Sequence, residues 1–555
     1  MRNTLNIFGL LLLSSIIFTA CNNSNNTKKT EKKETAVVVE KSIKEKISQW
    51  KEIELKADLS ELNDNEKEMI RLFLQASDII DNIFWKQAFY ENKDEFLNNI
   101  SNPDTQLYAK INYGPWDRLD GRNSFMKGFD RKPLGANFYP KDIKYLPFIS
   151  YQAEGKLSAY TLIRRDDNGD LYVEPYNKAY TVELNDISIL LRKAAELSEN
   201  KSFSNYLIAK ADALISNKYY DSEVAWMGVK DNNIDFLLGP VETYEDNFLQ
   251  IKAAFESYIL LKDSVLSKKV QHYADLVDEF QQCIPCDASY KKEQKAIDAK
   301  FGVYNIINYS GYANAGGKDI SINRPYDLQV LKEYGSKKLQ FKNVMEAKFD
   351  NILFPIANIM IDSSQSKLIN ADIFFESNIL YEIAEQLGFH KTLSGKNIKD
   401  ELKDYYTIIE KTRSDIVRLF LVPELYKAGQ ISEDDIEKHY ITYVSNLFRI
   451  VRLGDAEAQA KADMIIFNFL QNNKAITRSA EGMYKVDATN MRKFVIELTT
   501  LIHSIEENGD YAKAKELVTN DGFIKDELKE DLNKIQEAGI PIDIRFKQGA
   551  SVLGL

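Results

Sequence analysis

The stretch 378-NILYEIAEQLGFHK-391 poses the question from which the rest of the chain is read. An apolar run leads into x-E-x-x-x-x-L-G, and a histidine follows at 390. On a period of 3.6 residues, side chains four apart share one helix face. This lets the two imidazoles of an H-E-x-x-H helix reach one zinc ion while the Glu acts as general base on metal-bound water. Here the same five positions read Tyr381, Glu382, Ile383, Ala384 and Glu385, so only the base position is retained. Alone the pattern is uninformative, because x-E-x-x-E occurs on any solvated helix, and the flanking chain must separate a lost site from an ordinary helix.

The 555 residues are 44% hydrophobic and 28% charged, ordinary for a folded globular chain long enough for more than one core-bearing unit. The formal net charge is -11 and no basic face stands out, so nucleic acid is not an expected partner. At the N-terminus Arg2 precedes an apolar run from Ile7 through Phe18 that closes on Phe18-Thr19-Ala20-Cys21. The run is shorter than the ~20 residues of a membrane-spanning helix. Small residues before a cysteine fit a lipoprotein signal over 1–21, with Cys21 as the lipidated end. Residues 22–39, polar and of low complexity, are expected to form a disordered tether. The expected location is a bacterial cell envelope, membrane-anchored and facing the periplasm or the surface. Cys283 and Cys286 in QQCIPCD lack a second pair, and the four histidines supply no H-x3-H partner for a structural zinc. A local disulfide is the expected state, with free thiols or a redox pair as alternatives.

Apolar positions at three- and four-residue steps predict helix from Glu40 to about Asn98 and again over 186–217, 246–282, 338–362, 371–388, 400–428, 433–452, 457–472 and 490–519. Two strand-like runs, 157-LSAYTLIRR and 171-LYVEPY, flank an Asn168-Gly169 turn signal and predict a hairpin rather than a calcium loop.

Several aromatic and glycine-rich stretches carry more information than the periodicity. INYGPWDRL (111–119), KPLGANFYPKD (132–142), GPVETYEDNFLQIKAAFESY (239–258), GSKKLQFKNVMEAKFDNILFPIA (335–357) and the 378–391 segment follow one another in an order that resembles the dipeptidyl peptidase III family of zinc aminopeptidases. The likeness runs from about residue 100 to 545 and is greatest to the shorter branch, which includes the peptidase-like part of certain Nudix-fusion proteins. It implies a mixed α/β, predominantly helical, two-lobed fold with a wide central cleft over residues 40–555, the mixed lobe mainly 40–240 and the helical lobe mainly 241–540.

In active relatives the zinc helix reads H-E-[LM]-x-H-G-L-G-P-H or H-E-x-x-G-H. The resemblance therefore places Tyr381 at the first His, Glu382 at the base, and Glu385, or Gln386 in the longer form, at the second His. The second motif, E-E-A-K-A-D, corresponds to Glu410-Lys411-Thr412-Arg413-Ser414-Asp415, which puts Lys411 at the third ligand. A transition-state His in F-R-x-V-R-F-G-x-x-E-A-H becomes Gln459 in FRIVRLGDAEAQ. In relatives the Glu and Tyr of a G-x-x-E-[ST]-Y-x-D segment meet the substrate's amino terminus, and the resemblance places Glu242 and Tyr244 at those positions. Of the N-x-P-N segment that holds the peptide backbone, Asn323 is kept and the second Asn is Tyr326.

A neutral phenol is a poor zinc ligand, a carboxylate at 385 can still bind a metal, and an ammonium at 411 repels one. The expected function is a lipid-anchored, non-catalytic homologue whose cleft binds a peptide or protein segment. No cofactor is expected, although active relatives carry zinc. The alternative is an active metal-dependent dipeptidyl aminopeptidase that gathers Glu382, Glu385, Glu410 and Asp415 around a different cation. A structural partner in a surface assembly is a third class. Lys411 is expected to replace the lost metal's charge by pairing with Glu385 or Glu382, and the Tyr381 ring to fill part of the metal shell. His390 reads as structural, and His272, His439 and His503 fall on separate helical patterns.

Overall fold

The Asn-Gly turn closes as predicted. Asp166 Oδ1 accepts from the backbone N–H of Asn168 and of Asp170, each at 2.9 Å, and Gly169 takes φ +86°. The strands Thr161–Arg165 and Leu171–Pro175 pair antiparallel on either side. The structure is a computed structural model that describes residues 41–289, 291 and 299–555. The signal, the tether and Cys21 lie outside the described residues. Among the described residues no helix is long and apolar enough to cross a membrane.

A five-stranded sheet stands at the centre of the unit Ser42–Leu555. Its order is Ile234–Glu242, Ala254–Lys262, Ala299–Gly311, Ser336–Phe341 and Ser321–Arg324. The first three strands form an antiparallel meander, Ser336–Phe341 joins parallel to the third, and the short Ser321–Arg324 strand closes one edge antiparallel. Four of the five strands begin after residue 240, so the sheet straddles the 240/241 boundary drawn from the sequence. The Asp64–Ala88 helix packs on this sheet. Asn63 and Glu66 form its capping box, and Ile70, Phe73, Ile80, Ile83 and Phe84 are fully buried.

Two helical expectations fail here. Residues 246–282 contain the Ala254–Lys262 strand before helices Ser264–Asp275 and Val277–Cys283, and 338–362 begins inside the Ser336–Phe341 strand. The strand 254-AFESYILLK is buried on both faces over its first seven residues, so it shows no alternation, and a continuous apolar run mimics a buried helix. The 40–98 stretch likewise contains a strand, Trp50–Glu54, paired parallel with Asp543–Lys547 at the far end of the chain.

Of the remaining expectations, 371–388, 433–452 and 457–472 are single helices close to their expected positions. The others divide, 186–217 into Thr181–Leu197 and Lys201–Ser216, 400–428 into Ile398–Leu402 and Tyr406–Lys427, and 490–519 into Ala488–Asn508 and Tyr511–Asp521 on either side of Gly509 at φ +62°. Ala371–Gln386, Tyr406–Lys427, Glu433–Val451, Ala458–Asn472 and Ala488–Asn508 pack on one another and make the fold predominantly helical. The cysteines depart from expectation, because Cys283 and Cys286 are unbonded. Cys283 faces solvent at a helix end, the fully buried Ile284 anchors the next residue, and Cys286 is carried against the core. Burial pushes the Cys286 thiol up to about 11, so it is a poor nucleophile.

Candidate functional site

The Ala371–Gln386 helix, here the motif helix, starts at Asn370, whose side chain accepts from the Ile373 N–H. Phe374, Ile379, Leu380, Ile383 and Ala384 are buried on several sides, so the helix is an interior one and carries Glu382 inward with them. Its C-terminal carbonyls are held by Arg413, whose Nη1 donates to Ala384 O at 3.0 Å and Leu387 O at 2.7 Å. This explains the Leu-Gly that ends the motif. A Cβ on Gly388 would lie 2.8 Å from the guanidinium carbon of Arg413.

Glu382 is met by one face of the sheet edge. Ser321 and Asn323, two apart on their strand, point the same way, and Lys338 sits directly across from Asn323 in the antiparallel register. Ser321 Oγ donates to Glu382 Oε1 at 2.9 Å, Asn323 Nδ2 donates to Oε2 at 3.2 Å, and Lys338 Nζ donates to Oε2 at 2.6 Å. Lys338 also reaches Glu385 at 3.3 Å. Burial alone would raise the Glu382 carboxyl. The Lys338 ammonium and the two neutral donors reverse that and hold it below the ordinary carboxylate range. Glu385 moves the other way, raised by burial and by the neighbouring Glu382 carboxylate.

The cation beside Glu382 and Glu385 is therefore Lys338, not Lys411. Among the described residues Lys411 makes no ion pair within 4.0 Å, and its charge reaches Glu385 and Asp415 only from farther away. The reason is geometric. Lys411 follows Glu410 on the partly exposed start of the Tyr406–Lys427 helix, whereas the strand register aims Lys338 straight at the motif helix. Tyr381 is half-buried with its ring 5.5 Å from the Arg418 guanidinium. Arg418 pairs with Asp415 at 2.7 Å, and Gln459 Nε2 donates to the other Asp415 oxygen at 2.5 Å. Glu410 accepts from Tyr406 at 3.1 Å. The family implied by the motifs carries zinc, and this donor set does not suit it. A phenol, two carboxylates already held by an ammonium, and a lysine leave no imidazole and no free carboxylate pair. His390 is exposed beyond the helix end, and its carbonyl accepts from Ile398. Of the other histidines, His272 is exposed, His439 is buried 3.5 Å from Glu376, and His503 is buried against the Thr499 carbonyl with its imidazole pushed down to about 4.

On the opposite face of the same edge lies a pocket of about 430 Å³. Glu242 and Tyr244 line it, as do Glu256, Arg324 and Tyr326, but Asn323 does not, so the three expected peptide-binding residues divide between the two faces. Its aromatic wall includes Tyr160, Tyr219, Trp226 and Tyr258. Arg324 Nη2 pairs with Glu256 at 2.6 Å and stands 4.0 Å from Glu242. The Tyr326 hydroxyl donates to Glu242, and the Tyr326 ring lies over the Arg324 guanidinium at 4.4 Å. Burial raises Glu242, with Tyr326 and Arg324 opposing. Glu256 is pushed up to about 8 by burial, against the pull of Arg324 and with the Glu242 and Asp319 carboxylates adding to the rise.

Sequence reasoning missed Lys338, Ser321, Arg324 and Glu256. One signal pointed to the first. In 336-SKKLQF the polar Lys338 and Gln340 alternate with Leu339 and Phe341, and a lysine inside such a strand needs a buried partner.

Comparison with known proteins agrees with this architecture. Peptidase family M49 is matched over residues 159–430. The dipeptidyl peptidase III of Caldithrix abyssi superimposes with a TM-score of 0.88 at 30% identity, covering 92% of this chain and 99% of that one. The dipeptidyl-peptidase III of Corallococcus sp. strain EGB gives 0.76 at 29% identity, over 91% and 96% of the two chains. Nudix hydrolase 3 of Arabidopsis thaliana is 29% identical over 570 residues, covering 91% of this chain and 73% of that protein. With fold and sequence shared over nine-tenths of its length, the chain belongs to the dipeptidyl peptidase III family, peptidase family M49.

Proposed function

We propose that this chain is a non-catalytic member of its family, held at a bacterial envelope membrane through a lipid on Cys21, whose cleft binds peptide or protein segments without cutting them. The observation that carries this reading is Lys338 Nζ at 2.6 Å from Glu382. A general base acting on metal-bound water needs the cation beside it to polarise that water, and an ammonium that donates to the base neither coordinates water nor activates it. The pairing of Asp415 with Arg418 and Gln459, and of Glu410 with Tyr406, counts against the alternative of a carboxylate-built metal site. Two features support peptide binding. Ser321–Arg324 is an edge strand, where an extended chain can add backbone hydrogen bonds, and the aromatic pocket beside it suits a side chain.

The test is metal content and hydrolysis in protein lacking residues 1–21. The expected result is no stoichiometric zinc after dialysis and no dipeptide release from peptides of about four to eight residues. One zinc per chain, or dipeptide release that Glu382→Gln abolishes, overturns the reading.

A further inference from the structure

The pocket face raises a question that the loss of a metal does not answer, namely what an incoming amino terminus would meet there. A free ammonium is drawn to carboxylates, and the wall offers Glu223, Asp327, Glu242 and Glu256. Lys210 pairs with Glu223 at 2.8 Å, Asp327 accepts from the N–H groups of Gln329 and Val330, and Glu242 and Glu256 share one cation. Arg324 stands between them, the Tyr326 hydroxyl holds one oxygen of Glu242, and the Tyr326 ring covers the guanidinium. An ammonium approaching Glu242 would therefore meet a like charge only a few ångströms away, at a carboxylate that is itself largely buried. Apart from these charged groups the wall is largely aromatic and aliphatic and suits side chains. Lys210 also lines it, and Lys337, aligned with Arg324 in the strand register, lies 4.4 Å over Trp226, so Arg324 is not the sole resident cation on this face.

We propose that Arg324 and Tyr326 occupy the place of a ligand's amino terminus, so that the pocket selects peptide segments whose terminus is blocked or internal and which insert an apolar or aromatic side chain. This deepens the peptide-binding reading above and rests on it for the unmodified chain. The two residues are specificity determinants. The charge that a free amino terminus would bring is supplied by the protein itself.

The experiment compares an alanine-rich hexapeptide ending in tyrosine with its N-acetylated twin, each titrated into the full chain at neutral pH. The unmodified chain is expected to bind the acetylated peptide as tightly as the free one or more tightly. Tyr326 is half exposed, so Tyr326→Asn is expected to leave the fold intact, and it should shift the ratio severalfold towards the free peptide. Adding Arg324→Leu and Glu256→Gln, which removes the buried pair together, should raise that preference to about tenfold or more, with Glu242 then free to take the ammonium. A melting curve like that of the unmodified chain qualifies the triple variant. If it unfolds, the single variant decides. An unmodified chain that already prefers the free peptide tenfold overturns the inference, as does a Tyr326→Asn variant whose ratio does not move. If the unmodified chain binds neither peptide and Tyr326→Asn gains the free one, the inference stands and the peptide-binding reading of the unmodified chain falls.

Discussion

The two faces of the Ser321–Arg324 edge carry the same device with different outcomes. On one, Lys338 lies between Glu382 and Glu385; on the other, Arg324 lies between Glu256 and Glu242. Glu382 is held below the ordinary range, whereas Glu256 is pushed up to about 8. Both carboxyls are buried and each has a cation at 2.6 Å, so neither burial nor the partner's distance explains the difference. The second oxygen explains it. Glu382 Oε1 accepts from Ser321, and Asn323 adds a donor to Oε2, whereas Glu256 Oε2 has no hydrogen-bond partner among the described residues and the Glu242 and Asp319 carboxylates act on the same group. A buried carboxylate keeps its charge when both oxygens are served, and a single cation is not sufficient.

The largest expected effect breaks the first face. Lys338 and Glu382 are each 8% exposed in their side chains, so Lys338→Met strands a buried charge and should cost roughly 3–5 kcal/mol in urea unfolding. Combining it with Glu382→Gln should recover most of that loss. A double variant as unstable as the single would show that the pair is not the reason.

The next effect is a pH dependence of opposite sign on the two faces. Glu256 keeps its proton in the folded chain up to about pH 8 but loses it near 4.5 when unfolded, so its contribution to stability falls as pH rises through that window. Glu382 behaves in reverse, its contribution being present above its ordinary value and lost as pH falls below it. The change in urea midpoint caused by Glu256→Gln, whatever it loses with the Arg324 pair, should therefore be markedly more favourable at pH 8 than at pH 5. An equal shift at both would place the titration elsewhere.

The smallest expected effect is a control on the same helices. Lys411→Ala should change stability by no more than about 0.5 kcal/mol, as for a partly exposed lysine with no ion-pair partner within 4.0 Å among the described residues. A loss comparable to that of Lys338→Met would return the charge-replacing role to Lys411.

Much of the helical part was legible because the three- and four-residue spacing of its apolar side chains is local. Asn370, Ser432 and Asp487 are the caps of three helices that this spacing located without them. The central sheet was harder to see, since 254-AFESYILLK lies between two other strands with its alternation erased by burial on both faces. The motif positions Glu382 and Lys411 could be assigned from spacing, but the partner of Glu382 could not. Lys338 stands 44 residues away and meets it only through the register of two strands. Spacing finds residues that share an element, and register decides which residues from different elements meet.

The pairing of Trp50–Glu54 with Asp543–Lys547 gives the fold an order in time. A chain built from its N-terminal side holds the earlier strand without its partner until residues 543–547 emerge. At about 5–20 residues per second that wait is roughly 25–100 seconds. An apolar strand left open for so long would invite foreign strands, and the segment is suited to waiting, with Lys51, Glu52 and Glu54 exposed. Those charges also identify the right arrival. Glu52 meets Arg545, and Glu54 meets Lys547 at 3.0 Å. A chain that stops short of residue 543 would thus lose its closing strand and leave the earlier one without a partner at any later time.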